Sequence, residues 1–212
     1  MSYIKSIRKE VAGMWRLVHS QLSKSLYALS NYDKDMAREV ILLEARVDST
    51  KILIDSICEN IITSETNPPP NIPFLIAILK MNMHLERVGD LSETIAKQIL
   101  RSSSQYSELL IEGSRVIEIY RQALQMVSLG FDAFEKVDPS LAQMVLVRAE
   151  VFEELKEEVN KLLIAYSIKF PGDRANTLNI YSIIKDLERV VDQSKALAEE
   201  MIFYSEAILM IA

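Results

Sequence analysis

"HLERVGDLSETIA", His84 to Ala96, returns further along the chain as "DLERVVDQSKALA", Asp186 to Ala198. Leu85, Glu86, Arg87, Val88, Asp90, Ser92 and Ala96 all recur at a constant shift of 102 residues. Apolar positions around each copy step by three and four, which marks an amphipathic helix rather than a strand. The seam of the first copy reads Ile78, Met81, Leu85, Val88, Ser92, Ile95, Ile99. That of the second reads Ile180, Ile183, Leu187, Val190, Ser194, Leu197, Met201. One helix written twice, polar seam residue included, points to an internal duplication.

Working outward, each copy closes a set of three helices. Ile4, Ile7, Val11, Met14 and Val18 give a first helix, which ends in "SNYD" with Asp33 placed to cap the next. Met36, Val40, Leu43, Val47, Ile54, Ile57 and Ile61 give a second, stopped by "TNPPPNIP". Asn71 and Pro73 suit the start of the third. After "RSSSQYSE" a fourth helix is predicted along Leu110, Ile117, Tyr120, Leu124, Val127, Phe131 and Phe134. Asp138 and Pro139 start a fifth, and "KFPGDRANT" separates it from the sixth. The fold class is therefore all-α, six long helices in two tandem three-helix repeats, residues 1–103 and 104–212. Short connections make successive helices antiparallel neighbours.

The bulk numbers agree. A chain of 212 residues buries roughly 70% of its unfolded surface and needs no disulfide or metal to hold a core. Five glycines and six prolines leave long helices uninterrupted. The net charge of −6 disfavours nucleic acid as a partner, which demands a basic face. The single Cys58, in the apolar "LIDSICENII", reads as a buried thiol. "MSYIKSIRKEVAGMW" has no apolar run of a signal peptide, and no apolar stretch nears the ~20 residues of a membrane span. A cytoplasmic location is expected.

The repeated helix also carries the chemistry. Glu86 and Asp90 lie four apart, about 40° from each other around the helix and about 170° from its core seam. Glu188 and Asp192 sit in the same frame. Two anions at this spacing repel unless a cation lies between them. The second helix has its own pair, Glu44 and Asp48, flanking its seam. If the second and third helices are neighbours, four carboxylates approach one another, the donor set of a hard cation or iron. The fifth helix offers Glu150, Glu153 and Glu154. Aligning "MAREVILLEARVD" with "LAQMVLVRAEVFE" puts Ala149 in the slot of Glu44 and Glu153 in that of Asp48, so a second site would be weaker. The bland alternative is a solvated acidic face, with Arg87 and Arg189 neutralising Asp90 and Asp192 at i, i+3 and no metal at all.

Enzyme classes find no support. A core-facing di-iron site needs Glu-x-x-His on two helices. The two histidines, His19 and His84, are preceded three back by Arg16 and Met81. His84 reads as a structural or surface histidine rather than a ligand. No nucleophile elbow, Walker loop or Rossmann loop is present, so neither catalysis nor nucleotide binding is expected.

Two three-helix repeats, each with "LERV-x-D" on its last helix, together with "MAREVILLEARVD" on the second, resemble the PhoU family of phosphate-uptake regulators over nearly the whole chain. Leu91 and Gln193 stand where the family usually has His, Thr94 and Ala196 where it has Asn, and Asn71, Ile72 and Pro73 where it has Asp-Leu-Arg. The chain is thus similar to a divergent member. The resemblance implies a non-enzymatic cytoplasmic regulator that damps phosphate import and phosphate-starvation signalling. Its partners would be a phosphate ABC transporter and a sensor kinase at the cytoplasmic membrane face. It further implies iron, zinc or another divalent metal on the surface Glu/Asp-x-x-x-Asp motifs. Other readings stay open: an accessory protein of a low-affinity phosphate or anion transporter, or a metal-free helical interaction module. A homodimer is expected; the apolar tail "AILMIA", 207–212, is core or the seat of a partner or second copy.

Overall fold

The computed structural model describes residues 2–63 and 72–209. Among the described residues seven α-helices follow one another: α1 (Ser2–Asn31), α2 (Lys34–Ile62), α3 (Ile72–Arg101), α4 (Glu108–Ser114), α5 (Val116–Lys136), α6 (Pro139–Lys169) and α7 (Arg174–Leu209). A single 3-10 turn, Pro171–Asp173, joins the last two. No strand occurs among the described residues. Helices α1–α3 form the first repeat and α5–α7 the second.

The start signals work as their chemistry dictates. Asp33 Oδ1 accepts from the backbone N–H of Asp35 (3.0 Å) and Met36 (2.9 Å), satisfying two orphan donors of α2. Asp138 does the same for Ser140 (2.9 Å), with Pro139 first in α6. Asn71 falls outside the described residues, as does the tail beyond Leu209.

One element departs from the sequence pattern. The fourth helix is broken at Arg115, which adopts the left-handed conformation at φ 55°. Gly113 and Ser114, weak helix formers, precede it. A non-glycine residue there costs about 1 kcal/mol. Arg115 offsets this by gripping Glu118 on α5 (2.7 and 2.8 Å) and Glu158 on α6 (2.6 Å). The break tucks the short α4 against α6 and leaves α5 free to follow its own seam.

The repeats meet along two layers. α3 and α7 run antiparallel side by side, tied by Lys80–Glu200 (2.9 Å), His84–Gln193 (2.9 Å) and Gln98–Asp186 (2.6 Å). α1 and α5 form the layer behind, α1 packing on α3 and α5 on α7; α2 and α6 close the two flanks. Ser92 and Ser194 are buried in equivalent places, and each hydroxyl donates to a carbonyl one turn back, Val88 (2.8 Å) and Val190 (2.9 Å).

An aromatic chain crosses the centre. Trp15 of α1 stacks on Phe134 of α5 (5.8 Å), Phe134 on Tyr204 of α7 (5.2 Å), and Tyr204 lies 5.8 Å from Phe74 of α3. The Trp15 indole N–H donates to the Val127 carbonyl (3.0 Å). Cys58 is fully buried, and burial pushes its thiol up to about 12.

Candidate functional site

α2 and α3 pack together and set the four carboxylates of the first repeat on one side of the bundle. Asp90 is exposed and Glu86 half-buried, whereas Leu85 and Val88 are fully buried, as the helix geometry requires. Glu44 is different. It does not flank the seam of α2 but lies in it, between Val40 and Val47, with 8% of its surface exposed.

Two features make room for this buried acid. Gln21 of α1 donates its side-chain N–H to Glu44 Oε2 (2.6 Å) and to the Val40 carbonyl (3.2 Å). Gly89 of α3 faces it: a Cβ there would meet Val47 Cγ1 at 3.0 Å, Gln21 Oε1 at 3.2 Å and Glu44 Oε2 at 3.3 Å. In the second repeat the same two positions are Ala149 and Val191, both buried. One repeat pairs a carboxylate with no side chain; the other pairs a methyl with an isopropyl. The volume is conserved and the polarity is not.

The acids of the first repeat push one another's proton affinity up. Burial raises Glu44 to about 7; Asp90, Asp48 and Glu93 add to this, and the Gln21 hydrogen bond opposes it. Burial likewise lifts Glu86, with Asp90 and Asp48 adding, and lifts Asp90, with Asp48 and Glu93 adding. Glu44 Oε1 and Gln21 Oε1 are buried with no hydrogen-bond partner among the described residues. Lys51 of α2 pairs with Asp55 (2.9 Å), itself fixed by Asn82 (2.9 Å), and only partly offsets the rise at Glu86. An orphaned carboxylate oxygen beside three further acids suits a cation. Even so, among the described residues no three His, Cys, Asp or Glu side chains converge to hold a metal ion.

The second repeat supplies its own cation. Lys156 occupies the position of Lys51, but Asn160 replaces Asp55, so nothing holds the ammonium back. Lys156 turns inward, buried, and donates to Glu188 (2.6 Å) and to Glu153. Lys185 donates to Glu188 as well (2.7 Å). Burial pushes Glu188 up, yet the two ammonium groups outweigh it and hold the carboxyl below its ordinary value. Asp192 is exposed, with Lys195 at 3.9 Å. Glu150 and Glu154 are exposed on α6 and make no ion pair among the described residues. The buried ammonium thus answers the charge of this carboxylate pair. Lys156→Met is expected to cost about 1–3 kcal/mol, since it takes the ammonium from Glu153 and leaves the poorly solvated Glu188 with Lys185 alone. Urea unfolding at pH 7 measures it; a loss under about 0.5 kcal/mol contradicts the bridge.

The arginines of the repeated motif do not neutralise its aspartates. Arg189 pairs with Asp186 (3.2 Å), and Arg87 makes no ion pair among the described residues. Together with Asp90, Glu93, Thr94 and Gln193 they line a polar cleft of about 490 Å³ between α3 and α7. Sequence reasoning missed Gln21 and Lys156. Lys156 left a signal, a lysine shared with Lys51 at the 105-residue offset of the α2–α6 alignment. Gln21 left none.

The model of the PhoU domain matches the chain twice, over residues 11–99 and again over 116–201. The chain belongs to the PhoU family. Both matches fall on the repeats just described. The phosphate-specific transport system accessory protein PhoU of Escherichia coli K12 is 25% identical over 95% of this chain and 83% of its own length. That of Edwardsiella tarda is 26% identical over 95% and 82%. A homologue from Thermotoga maritima is 28% identical over 93% and 84%. Among solved structures, PhoU from Pseudomonas aeruginosa superposes with a TM-score of 0.85 at 24% identity, covering 97% of this chain and 98% of that one. The all-helical fold with the PhoU domain repeated is therefore that of the family.

Proposed function

We propose that this PhoU-family chain is a non-catalytic, cytoplasmic regulator that damps phosphate import and phosphate-starvation signalling. It acts by contacting a phosphate ABC transporter and, where one is present, its sensor kinase, as a homodimer. The observation that carries this reading is the match of both repeats to a family whose relatives, aligned over 95% of the chain, are named accessory proteins of phosphate-specific transport. Among the described residues no helix is long and apolar enough to cross a membrane, which fits an accessory subunit rather than a carrier. Deleting the gene in its host and following phosphate uptake and a phosphate-starvation reporter tests the proposal. The expected result is uptake and reporter activity that no longer fall in phosphate-rich medium. Unchanged repression would overturn it.

The same reading includes a metal on the first repeat. Glu44, Asp48, Glu86 and Asp90 would have to draw together to hold it, since no three of them converge in the structure, and a hard divalent or trivalent cation there would supply positive charge beyond the part that Lys51 gives Glu86. The second repeat does not fit, because Lys156 already fills that role. Glu86→Gln with Asp90→Asn should abolish metal content and metal-induced thermal stabilisation. Glu188→Gln with Asp192→Asn should leave both unchanged. Equal behaviour of the two pairs, by elemental analysis of chelator-free protein, would show the acids to be a solvated face.

A further inference from the structure

α1 is charged unlike the rest of the molecule. Ser2–Asn31 contains Lys5, Arg8, Lys9, Arg16 and Lys24 against Glu10 alone, a net of +4, so the remaining residues carry −10. Four of these cations share one face. Lys5, Arg8, Lys9 and Arg16 line a shallow concavity of about 370 Å³ between α1 and the end of α5, with Ala12 and Glu135. The stripe from Lys5 to Arg16 is about 16 Å long.

The stripe is preorganised but not neutralised. Arg8 donates to the carbonyls of Phe134 (3.4 Å) and Glu135 (3.0 Å), capping the last turn of α5. Arg16 lies over the Phe131 ring at 5.7 Å. Lys5, Lys9 and Arg16 are exposed, and among the described residues none of them pairs with an acid. Alignment of like charges on one helix costs stability unless an anion answers it.

The chemistry of that anion follows from what the face lacks. Protein hot spots are built on large buried anchors. The exposed large hydrophobic residues lie on α2, α3, α4, α6 and α7; α5 has none, and α1 has only Tyr27, beyond the far end of the stripe. The basic face thus offers charge without an apolar anchor. It also sits on the α1–α5 layer, away from Asp90 and Glu93 of the α3–α7 cleft, so a negative surface approaching it meets four cations and the single carboxylate of Glu135.

We propose that Lys5, Arg8, Lys9 and Arg16 form a docking face for the phosphate headgroups of an anionic membrane surface. Each basic residue near such a surface adds a similar, salt-screened increment of attraction. The face would hold the α1–α5 layer against the membrane and present the α3–α7 cleft outward. The physiological sense of this rests on the transporter reading above, but its test does not, because no transporter is involved.

The experiment is sedimentation of the full chain with vesicles of phosphatidylcholine alone and with phosphatidylglycerol added, at low and high salt. Binding is expected only to the anionic vesicles and is lost at high salt. Lys5→Gln with Lys9→Gln and Arg16→Gln should weaken it about a hundredfold, with the melting temperature not lowered, because Arg8 is left in place and like-charge repulsion is relieved. A charge-matched control, Arg46→Gln with Lys161→Gln and Lys169→Gln, should bind as the parent does. Excess inorganic phosphate competing away the vesicles at concentrations far below the salt effect would place a soluble phosphate in the groove and overturn the membrane assignment. No binding to anionic vesicles, or equal loss in both triple variants, would also overturn it; the former outcome leaves an acidic protein segment as the partner of this face.

Discussion

Trp15→Ala is expected to lose about 3–5 kcal/mol of folding stability, the largest effect of any single change considered. Trp15 is fully buried where the two repeats meet. Its ring touches Phe131 (6.1 Å) and Phe134 (5.8 Å), and its indole N–H is spent on the Val127 carbonyl. Truncation removes the ring contacts and leaves a cavity that helices α1 and α5 cannot readily close, because the Arg8 cap and the buried Ser25–Tyr120 hydrogen bond fix their spacing at both ends. The neighbourhood is already tight: a Cβ on Gly130 would lie 2.9 Å from Trp15 Cζ2. Because the residue joins α1 to the second repeat, the variant should also loosen the coupling between repeats. Urea unfolding followed by circular dichroism measures both, as a lower midpoint and a broader transition. A loss below about 1.5 kcal/mol would mean that the aromatic chain does not unite the halves. Trp15→Phe, which keeps the packing and gives up the hydrogen bond, should cost much less.

The distinction between what the sequence shows and what it hides follows the range of the interactions. Asp33 and Asp138–Pro139 are legible because a cap acts within three residues. Ser92 and Ser194 are legible as a repeat because each satisfies itself within its own helix. The break at Arg115 is not, because an arginine in the left-handed region is held there by Glu158, 43 residues away. Glu44 reads as a surface acid by its pairing with Asp48. Its burial depends on Gln21 from another helix and on Gly89 from a third. Lys51 and Lys156 are the same residue at matched positions, and only the neighbour Asp55 or Asn160 decides which way the ammonium turns. A periodicity argument places carboxylates on a face; it does not tell which of two faces is already neutralised.

Glu44→Gln should stabilise the protein at pH 8 by about 2 kcal/mol and have almost no effect near pH 4.5. Burial and three acidic neighbours raise the folded-state value of Glu44 from 4.5 to about 7, so the native state holds this proton more tightly than the unfolded chain does. At pH 4 both states are largely protonated and the group costs nothing. Between pH 4.5 and 7 the unfolded chain releases the proton while the native state keeps it, and stability falls. Above pH 7 the native state carries the buried charge and the loss is complete. The figure of about 2 kcal/mol already allows for solvent screening of the partly exposed acids around Glu44. A glutamine removes the titration and keeps the acceptor that Gln21 uses. It also replaces the orphaned Glu44 Oε1 by an N–H donor, the group that the orphaned Gln21 Oε1 lacks. Melting curves of parent and variant in chelator, from pH 4.5 to 8, should therefore converge at the acid end and diverge with a midpoint between 4.5 and 7. Added metal then separates the readings of the first repeat. If Glu44 is a ligand, metal raises the parent at pH 8 towards the variant and does nothing for the variant itself. Parallel curves at every pH, with or without metal, would show that Glu44 keeps an ordinary proton affinity and that its burial serves packing alone.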